Sequence, residues 1–415
     1  MTQRPFLKSI RPVNLLSFGP NTPEIELRPL NILIGPNGCG KSNLIEIVRL
    51  LYFLPEKEPW VSVLESGGVD EWIWKGEKGK NLHSSIHTTI SLESIPESPA
   101  AGTRPNFDFD YSVRLDRFQT SFRVGTEIIR TARRSDGSGS DYSWFESNGL
   151  RGEIHRRSAL PGDEPVYVGL SADRSVLSQL AQLPVQLASS GVFLPELYEI
   201  EKFFDSFDFH QDWEFGADLP PRDPIPVGQP VERLEENARN LAQMLTHYKD
   251  YHRPVFDQIN EKMKQFYEQL MSVDVRLIGT HLQVVIYEEG GFSIPAYRLS
   301  DGTLRWLALL VILLNPTPAP VTCIEEPELG LHPDAIRTLA DLLVDASTRT
   351  QLIVTTHSTA LVDAFSGDPE AVCVCEKVDG ATEIKRLEKE RMKVWLDDYS
   401  LGHLWASGEI GGNRW

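Results

Sequence analysis

The most constraining stretch of this chain is a run of glycines set between an apolar strand and an amphipathic helix. Asn31-Ile32-Leu33-Ile34 is a short apolar run suited to a buried parallel strand, and Asn43 to Leu51 carries apolar residues at helical spacing. Between them stands Gly35-Pro36-Asn37-Gly38-Cys39-Gly40-Lys41-Ser42, which reads G-x-x-x-x-G-K-S. Strand, glycine loop and helix, in that order, is the context a phosphate-binding loop requires. Gly35, Gly38 and Gly40 admit backbone conformations closed to residues with a Cβ, so the loop's N–H groups can converge on phosphate at a helix N-terminus. The predicted phosphate-contacting set is Gly35, Pro36, Asn37, Gly38, Cys39, Gly40, Lys41, Ser42 and Asn43. Lys41 adds a point charge toward the β- and γ-phosphates, and the Ser42 hydroxyl can complete the shell of a Mg²⁺ ion.

At 415 residues the chain is long enough for two or three domains and a large core. Charged residues make up 24% and hydrophobic residues 41%, an ordinary globular balance rather than a disordered one. The net charge of −18 argues against coating nucleic acid with the whole surface, while leaving room for a local basic groove. Four cysteines, scattered over the loop and apolar strand-like segments, form no disulfide framework. Cys373-x-Cys375 alternates along such a segment with no second His/Cys cluster nearby, and buried packing is the favoured reading over a metal or redox pair. The N-terminus shows no apolar signal core, and the longest apolar run, Leu304 to Leu314, is interrupted by Arg305 and too short for a bilayer. The expectation is a cytoplasmic protein with no membrane association.

Residues 7–34 alternate as two or three strands leading into the loop, with Phe18 either stacking on a nucleotide base or packing in a turn. Antiparallel strands are predicted at His87 to Leu92, Phe107 to Leu115, Ser121 to Ile129, Tyr142 to Glu146 and Gly152 to Arg156. Arg130, Arg133, Arg134, Arg151, Arg156 and Arg157 bias this region positive, through either a nucleic-acid contact or solvated strand edges. Helical spacing covers 171–207 and, after the proline-rich connector 218–226, Val231 to Met271, with Pro254 dividing two helices. This is a compact helical insertion. Strands resume at Val275.

A second constellation follows. Val321-Thr322-Cys323-Ile324-Glu325-Glu326 is an apolar strand ending in two carboxylates. Glu325 is suited to holding Mg²⁺ through water, and Glu326, predicted on the other side of the strand, to orienting and deprotonating an attacking water. A similar strand, Gln351 to Thr356, ends at His357, which can reach a γ-phosphate or that water. Upstream, Leu299-Ser300-Asp301-Gly302-Thr303 precedes an apolar helix, as either a phosphate site at a helix N-terminus or an ordinary N-cap.

The order G-x-x-x-x-G-K-S, S-D-G-T, apolar-E-E-P-E and T-T-H-S resembles the ABC-type ATPase heads of the SMC, RecF and overcoming-lysogenisation-defect group. More narrowly it is similar to the predicted bacterial AAA-type ATPases of that clan, which share Asn240-Leu241-Ala242 and the tail Leu401-Gly402-His403-Leu404-Trp405. The resemblance implies an α/β P-loop ABC-type ATPase head with a mixed sheet, an antiparallel β subdomain and a compact helical insertion. The expected segments are an N-terminal lobe over 1–195, the insertion over 196–274 and a C-terminal lobe over 275–415. It implies ATP and Mg²⁺ as ligands, Lys41 and Ser42 for phosphate and metal, Glu325 as second metal residue, Glu326 as catalytic base and His357 as the switch histidine. It also implies that Ser300 and Gly302 contact the γ-phosphate held by another subunit, so that a homodimer or larger oligomer closes over ATP. Three features depart from the clan: S-D-G-T replaces the transporter L-S-G-G-Q, Glu325 replaces the commoner Asp, and no metal-sensing glutamine is assignable.

Four roles follow from the resemblance. The favoured one is an ATP-gated dimer that controls a partner, such as a separate Toprim-type nuclease in an anti-phage defence module, with nucleic acid as a possible signal. A RecF-like DNA-repair ATPase is the alternative. A transporter subunit and a non-hydrolysing scaffold fit less well, the first for want of a membrane anchor, the second because of Glu326. The tail, with Trp395 and Trp405, either docks a partner or packs back onto the head.

Overall fold

The computed structural model describes residues 7–76, 83–91, 108–132, 142–155, 165–183, 195–211, 215–216, 219–228 and 231–412. The chain divides into two units: Met1–Phe207 with Cys373–Leu387 and Ile410–Arg414, and Asp208–Val372 with Glu388–Glu409 and Trp415.

In the first unit the strands β1 (Leu7–Val13), β2 (Ile25–Glu26) and β3 (Leu30–Ile34) lead into helix α1 (Lys41–Phe53), followed by the short helices α2 (Val61–Glu65) and α3 (Val69–Trp72). Next come β4 (His83–Ser91), β5 (Asp108–Phe118), β6 (Ser121–Thr131), β7 (Ser143–Ser147), β8 (Arg151–Ile154) and β9 (Val166–Gly169), then helix α4 (Pro195–Phe204). Eight of these strands form one antiparallel sheet in the order β2-β1-β4-β5-β6-β7-β8-β9. Alternation is why: in β5 the side chains of Phe109, Tyr111, Val113 and Leu115 are buried on one face while their neighbours are more exposed. Burying each such side chain contributes about 1.5–3 kcal/mol. A buried carboxyl pins this sheet to the turn after β9. Glu127 accepts from the Tyr111 hydroxyl (2.6 Å), the Ser175 hydroxyl (2.6 Å) and the Val176 N–H (2.8 Å). Burial pushes its carboxyl above the ordinary range, against the lowering effect of those three bonds.

The predicted strands match β4 to β8 to within a few residues, except that the start proposed at Phe107 and the ends proposed at Leu92 and Arg156 lie outside the described residues. Phe18 is fully buried in the turn after β1, which removes it as a base-stacking residue. Arg130 pairs with Glu146 at 2.8 Å, and the Arg151 guanidinium lies 3.7 Å from the centre of the Tyr167 ring. Arg133, Arg134, Arg156 and Arg157 lie outside the described residues.

The second unit opens with β10 (Asp208–His210) and β11 (Ile225–Pro226), then helices α5 (Leu241–Tyr251) and α6 (Arg253–Phe266). Pro254 sits in the first turn of α6, where its missing N–H costs nothing. Helical spacing overreached at both ends here. Residues 231–240 form no helix, and Leu270 opens strand β12 (Leu270–Ile278) rather than extending α6. β12 pairs antiparallel with β13 (His281–Glu288), which also pairs with β11 and with β14 (Ser293–Pro295). Helix α7 (Asp301–Leu313) is buried from Thr303 through Leu313, and the Tyr248 hydroxyl of α5 donates to its Val311 carbonyl at 3.0 Å.

Strand β15 (Val321–Glu325), helix α8 (Ala335–Ala346) and strand β16 (Gln351–Thr355) form a crossover unit, and β10, β15 and β16 pair in parallel. The buried runs of β15 and β16 are what a parallel strand covered on both faces requires. Helix α9 (Thr359–Asp363) follows. The chain then returns to the first unit as β17 (Val372–Val378) and β18 (Ala381–Arg386), an antiparallel pair in the order β3-β17-β18. Parallel and antiparallel pairing together give the mixed α/β character expected. Last come α10 (Lys389–Leu396) and α11 (Leu401–Ala406). Leu401, Leu404 and Trp405 are buried, and the Gly402 N–H donates to Asp363 of α9, so the end of the tail packs back within its unit. Among the described residues, no helix is long and apolar enough to cross a membrane.

Candidate functional site

The predicted site residues fall into two groups, one in each unit. In the first unit, β3 delivers the glycine loop to α1. Gly35, Gly38 and Gly40 have φ of 149°, 74° and 112°, the left-handed region that residues with side chains avoid. A Cβ on Gly35 would lie 2.2 Å from the Cys375 carbonyl oxygen, and one on Gly40 would lie 2.3 Å from Thr382 Oγ1. Gly40 precedes α1 without a side-chain cap, so the first amides of that helix have no internal acceptor from a capping group. The buried Lys41 Nζ donates to the carbonyls of Gly35 (2.8 Å) and Pro36 (3.2 Å), which holds the ammonium within the loop, while Ser42 is exposed. Asn43 turns inward and donates to Ser17 Oγ at 2.7 Å. Thr382 Oγ1 lies 2.6 Å from both Ser17 Oγ and the Cys39 carbonyl oxygen. The positive-φ glycines, the uncapped helix and the enclosed ammonium together fit a polyphosphate.

In the second unit, β15 ends at Glu325, which pairs in register with Thr355 of β16. Glu326 lies past the strand end. Its φ is 43°, a left-handed conformation that costs a residue with a side chain about 1–3 kcal/mol. Its direction is therefore set by this turn and not by strand alternation, which corrects the sequence-based expectation. The turn is held by the Glu326 N–H, which donates to the Thr355 carbonyl at 3.0 Å. It brings Glu326 Oε1 to 3.6 Å from His357 Nε2, with both side chains partly exposed.

Glu328 fixes the other side of that pair. One carboxylate oxygen accepts from the Thr356 hydroxyl (2.6 Å), the His357 N–H (2.9 Å) and the Ser358 N–H (3.2 Å). The two strand ends carrying Glu326 and His357 are thus clamped by a third acid.

The Ser300 turn lies in the same unit. Ser300 is the N-cap of α7: its hydroxyl accepts from the Thr303 N–H at 3.1 Å and lies 2.7 Å from Thr303 Oγ1. Gly302 is required by close approach, since a Cβ there would lie 2.5 Å from the Gly330 carbonyl oxygen. Arg305, one turn into α7, donates to the Leu329 carbonyl. Burial pulls its guanidinium down to about 10, opposed by the charges of Glu328, Glu326 and Asp301. Arg222 braces the turn from below. It is buried, pairs with Asp301, and donates to the carbonyls of Phe215, Gly216, Ala296 and Leu299.

Within the first unit the structure brings together Gly35 through Asn43. Within the second it brings Glu326 to His357, and Gly302 against the loop that follows Glu326. Sequence reasoning passed over Ser17, Thr382, Arg222 and Glu328. Only Glu328 carried a local signal, as the last acid of the E-E-P-E run. Among the described residues, no group of three or more His, Cys, Asp or Glu side chains is placed to hold a metal ion. Ser42 in the first unit and Glu325 in the second each carry an oxygen of the kind Mg²⁺ takes.

This fold is that of the head domains of SMC proteins. A crystal structure of an SMC head bound to the C-terminal winged-helix domain of ScpA superposes with a TM-score of 0.53, at 14% identity, covering 93% of this chain and 99% of that one. An SMC head with an extended coiled coil, bound to the C-terminal domain of ScpA and derived from Pyrococcus furiosus, gives 0.52 at 14% identity, covering 95% of this chain and 99% of that one. Residues 185–363 match the family described as "AAA domain, putative AbiEii toxin, Type IV TA system".

Proposed function

We propose that this protein binds and hydrolyses ATP as a dimer of heads and uses the closed, ATP-bound state to control a partner protein. The observation that carries the reading is Glu326, held at a left-handed φ of 43° with its carboxylate 3.6 Å from His357 Nε2. A strained acid clamped beside a histidine at the ends of adjacent parallel strands is suited to a positioned proton acceptor. In this reading Gly35 to Gly40 and Asn43 shape the phosphate cradle, Lys41 balances the β- and γ-phosphate charge, and Glu326 takes a proton from the attacking water. His357 orients that water or the γ-phosphate. Ser42 and Glu325 are the residues that would hold Mg²⁺, which when bound would neutralise charge on the transferred phosphoryl group. Ser300 and Gly302 present α7 to the nucleotide held by the other copy.

The partner is best sought as a separate effector, with a Toprim-type nuclease of an anti-phage module as the leading candidate. The SMC heads of like fold bind ScpA, which supports a head of this shape docking another protein. The test is Glu326→Gln. It should retain ATP binding and accumulate the dimer while steady-state turnover falls at least about 10²-fold, the scale of losing a positioned base. Unchanged phosphate release, or a variant that stays monomeric at saturating Mg-ATP in light scattering, would remove the assignment.

A further inference from the structure

Two of the four cysteines meet at the phosphate-binding loop. Cys39 lies within the loop and Cys375 on β17, and both are buried. The Cys375 thiol donates to the Cys39 carbonyl oxygen at 3.4 Å. Gly35 keeps the two close: a Cβ there would lie 2.9 Å from Cys39 Sγ and 2.2 Å from the Cys375 carbonyl oxygen. Lys41 Nζ stands 3.9 Å from Cys39 Sγ, so the loop's ammonium also faces this sulfur. The adjacent Asn37 and Gly38 are exposed.

We propose that Cys39 and Cys375 are a reversible dithiol–disulfide pair that controls whether the loop can take nucleotide. This control rests on the nucleotide-binding reading of the loop; the disulfide itself does not.

The pair is asymmetric in the way such chemistry needs. The hydrogen bond from Cys375 first, and then the charge of Lys41, draw the Cys39 thiol down to about 6 against the raising effect of burial. The same hydrogen bond and burial push Cys375 up, so it stays a thiol. Cys39 is thus the attacking sulfur and Cys375 the resolving one. With a hydroperoxide as oxidant, the Cys39 thiolate attacks the terminal oxygen: an S–O bond forms, the O–O bond breaks and an alcohol leaves. The Cys375 sulfur then attacks the resulting sulfenic sulfur. An S–S bond forms, the S–O bond breaks, and hydroxide leaves as water with the proton from Cys375. Overall, two thiols lose two electrons and two protons, and the peroxide is reduced to alcohol and water. A small dithiol reverses the bond by exchange.

The bond would pull Cys39 Sγ away from Lys41 and tie the loop to β17 at disulfide distance. A loop held so cannot arrange its amides and ammonium on phosphate as the reduced loop does. By linkage, bound ATP must oppose oxidation to the same degree. Cys323 in β15 and Cys373, two residues before Cys375, are internal controls. Both are buried, and burial pushes the Cys373 thiol up.

The experiment uses the full chain, treated with tert-butyl hydroperoxide and then denatured, alkylated and mapped by mass spectrometry. The expected result is a linked Cys39–Cys375 peptide lighter by two hydrogens, with Cys323 and Cys373 fully alkylated. In Cys375→Ala the link is lost, and a dimedone adduct appears on Cys39. ATP affinity measured by titration should fall about tenfold or more on oxidation, within the usual range of coupling between sites, and recover with dithiothreitol. Cys39 remaining alkylatable, or oxidised without the link, overturns the pair. A link that leaves ATP affinity unchanged overturns the control. Reduced protein that fails to bind ATP defeats the nucleotide reading and the control with it, while the peptide map still decides the pair.

Discussion

Two helix N-termini in this molecule are built to opposite rules. α1 begins after Gly40, at φ 112°, and has no side-chain cap. α7 begins after Ser300, in extended backbone, and its first turn is closed by the serine's own hydroxyl. An uncapped N-terminus keeps amide donors and the positive end of the helix dipole for an outside anion. A capped one satisfies a donor internally and so fixes its own start. In the proposed reading the first binds the ligand and the second is a rigid element offered to one. The proposed reading also gives Ser300 a role in contact. When Thr303 donates to it, its own proton is free for a phosphate oxygen.

The contrast breaks first at Lys41. Lys41→Ala should weaken ATP binding about 100-fold, near 2.7 kcal/mol, the upper scale for a hydrogen bond to a charged group. Isothermal titration reads this directly. An affinity within about threefold of wild type would mean that the amides of α1 do the binding without the ammonium.

A smaller effect sharpens the role of the loop's supports. Gly38 and Gly40 both have positive φ, but a Cβ on Gly38 meets open space, whereas one on Gly40 meets Thr382 Oγ1 at 2.3 Å and Ser17 Oγ at 2.6 Å. Gly38→Ala should cost about 1 kcal/mol for the left-handed backbone alone. Gly40→Ala should cost about 2 kcal/mol more, from displacing packed groups. Urea unfolding midpoints compare the two; equal losses would show that Ser17 and Thr382 yield and do not buttress the loop.

What the sequence made legible is what short-range patterns encode. The glycine loop, the strands β4 to β8 and the apolar runs of β15 and β16 all follow from period and turn chemistry within about ten residues. Helical spacing failed over 231–240 because propensity there is overridden by tertiary contacts: buried Asn240 accepts from the Glu235 N–H and donates to the Arg233 carbonyl, closing a turn instead. Thr382, which braces Cys39 from 343 positions away, leaves no local mark. Arg222 reads as a solvated cation in a proline-rich connector, yet it is buried against five backbone and side-chain acceptors. Glu326 was legible as an acid but not as a left-handed one, since strand alternation predicts only which face a residue takes while the strand lasts.

The smallest effect separates the two meanings of Ser300. Ser300→Ala removes the cap and should lower stability by about 1 kcal/mol, seen as a shift in the thermal midpoint. A capping role alone is rescued by any good N-cap, and Asp is among the best. Ser300→Asp should therefore restore the midpoint, because its carboxylate can accept from the Thr303 N–H. It has no proton to give a phosphate oxygen and adds like charge beside one, so turnover and ATP-dependent dimerisation should stay low. Stability and activity then come apart in one variant. Full activity in Ser300→Asp would make the serine a cap and nothing else, and α7 would have to meet nucleotide through its backbone at Gly302.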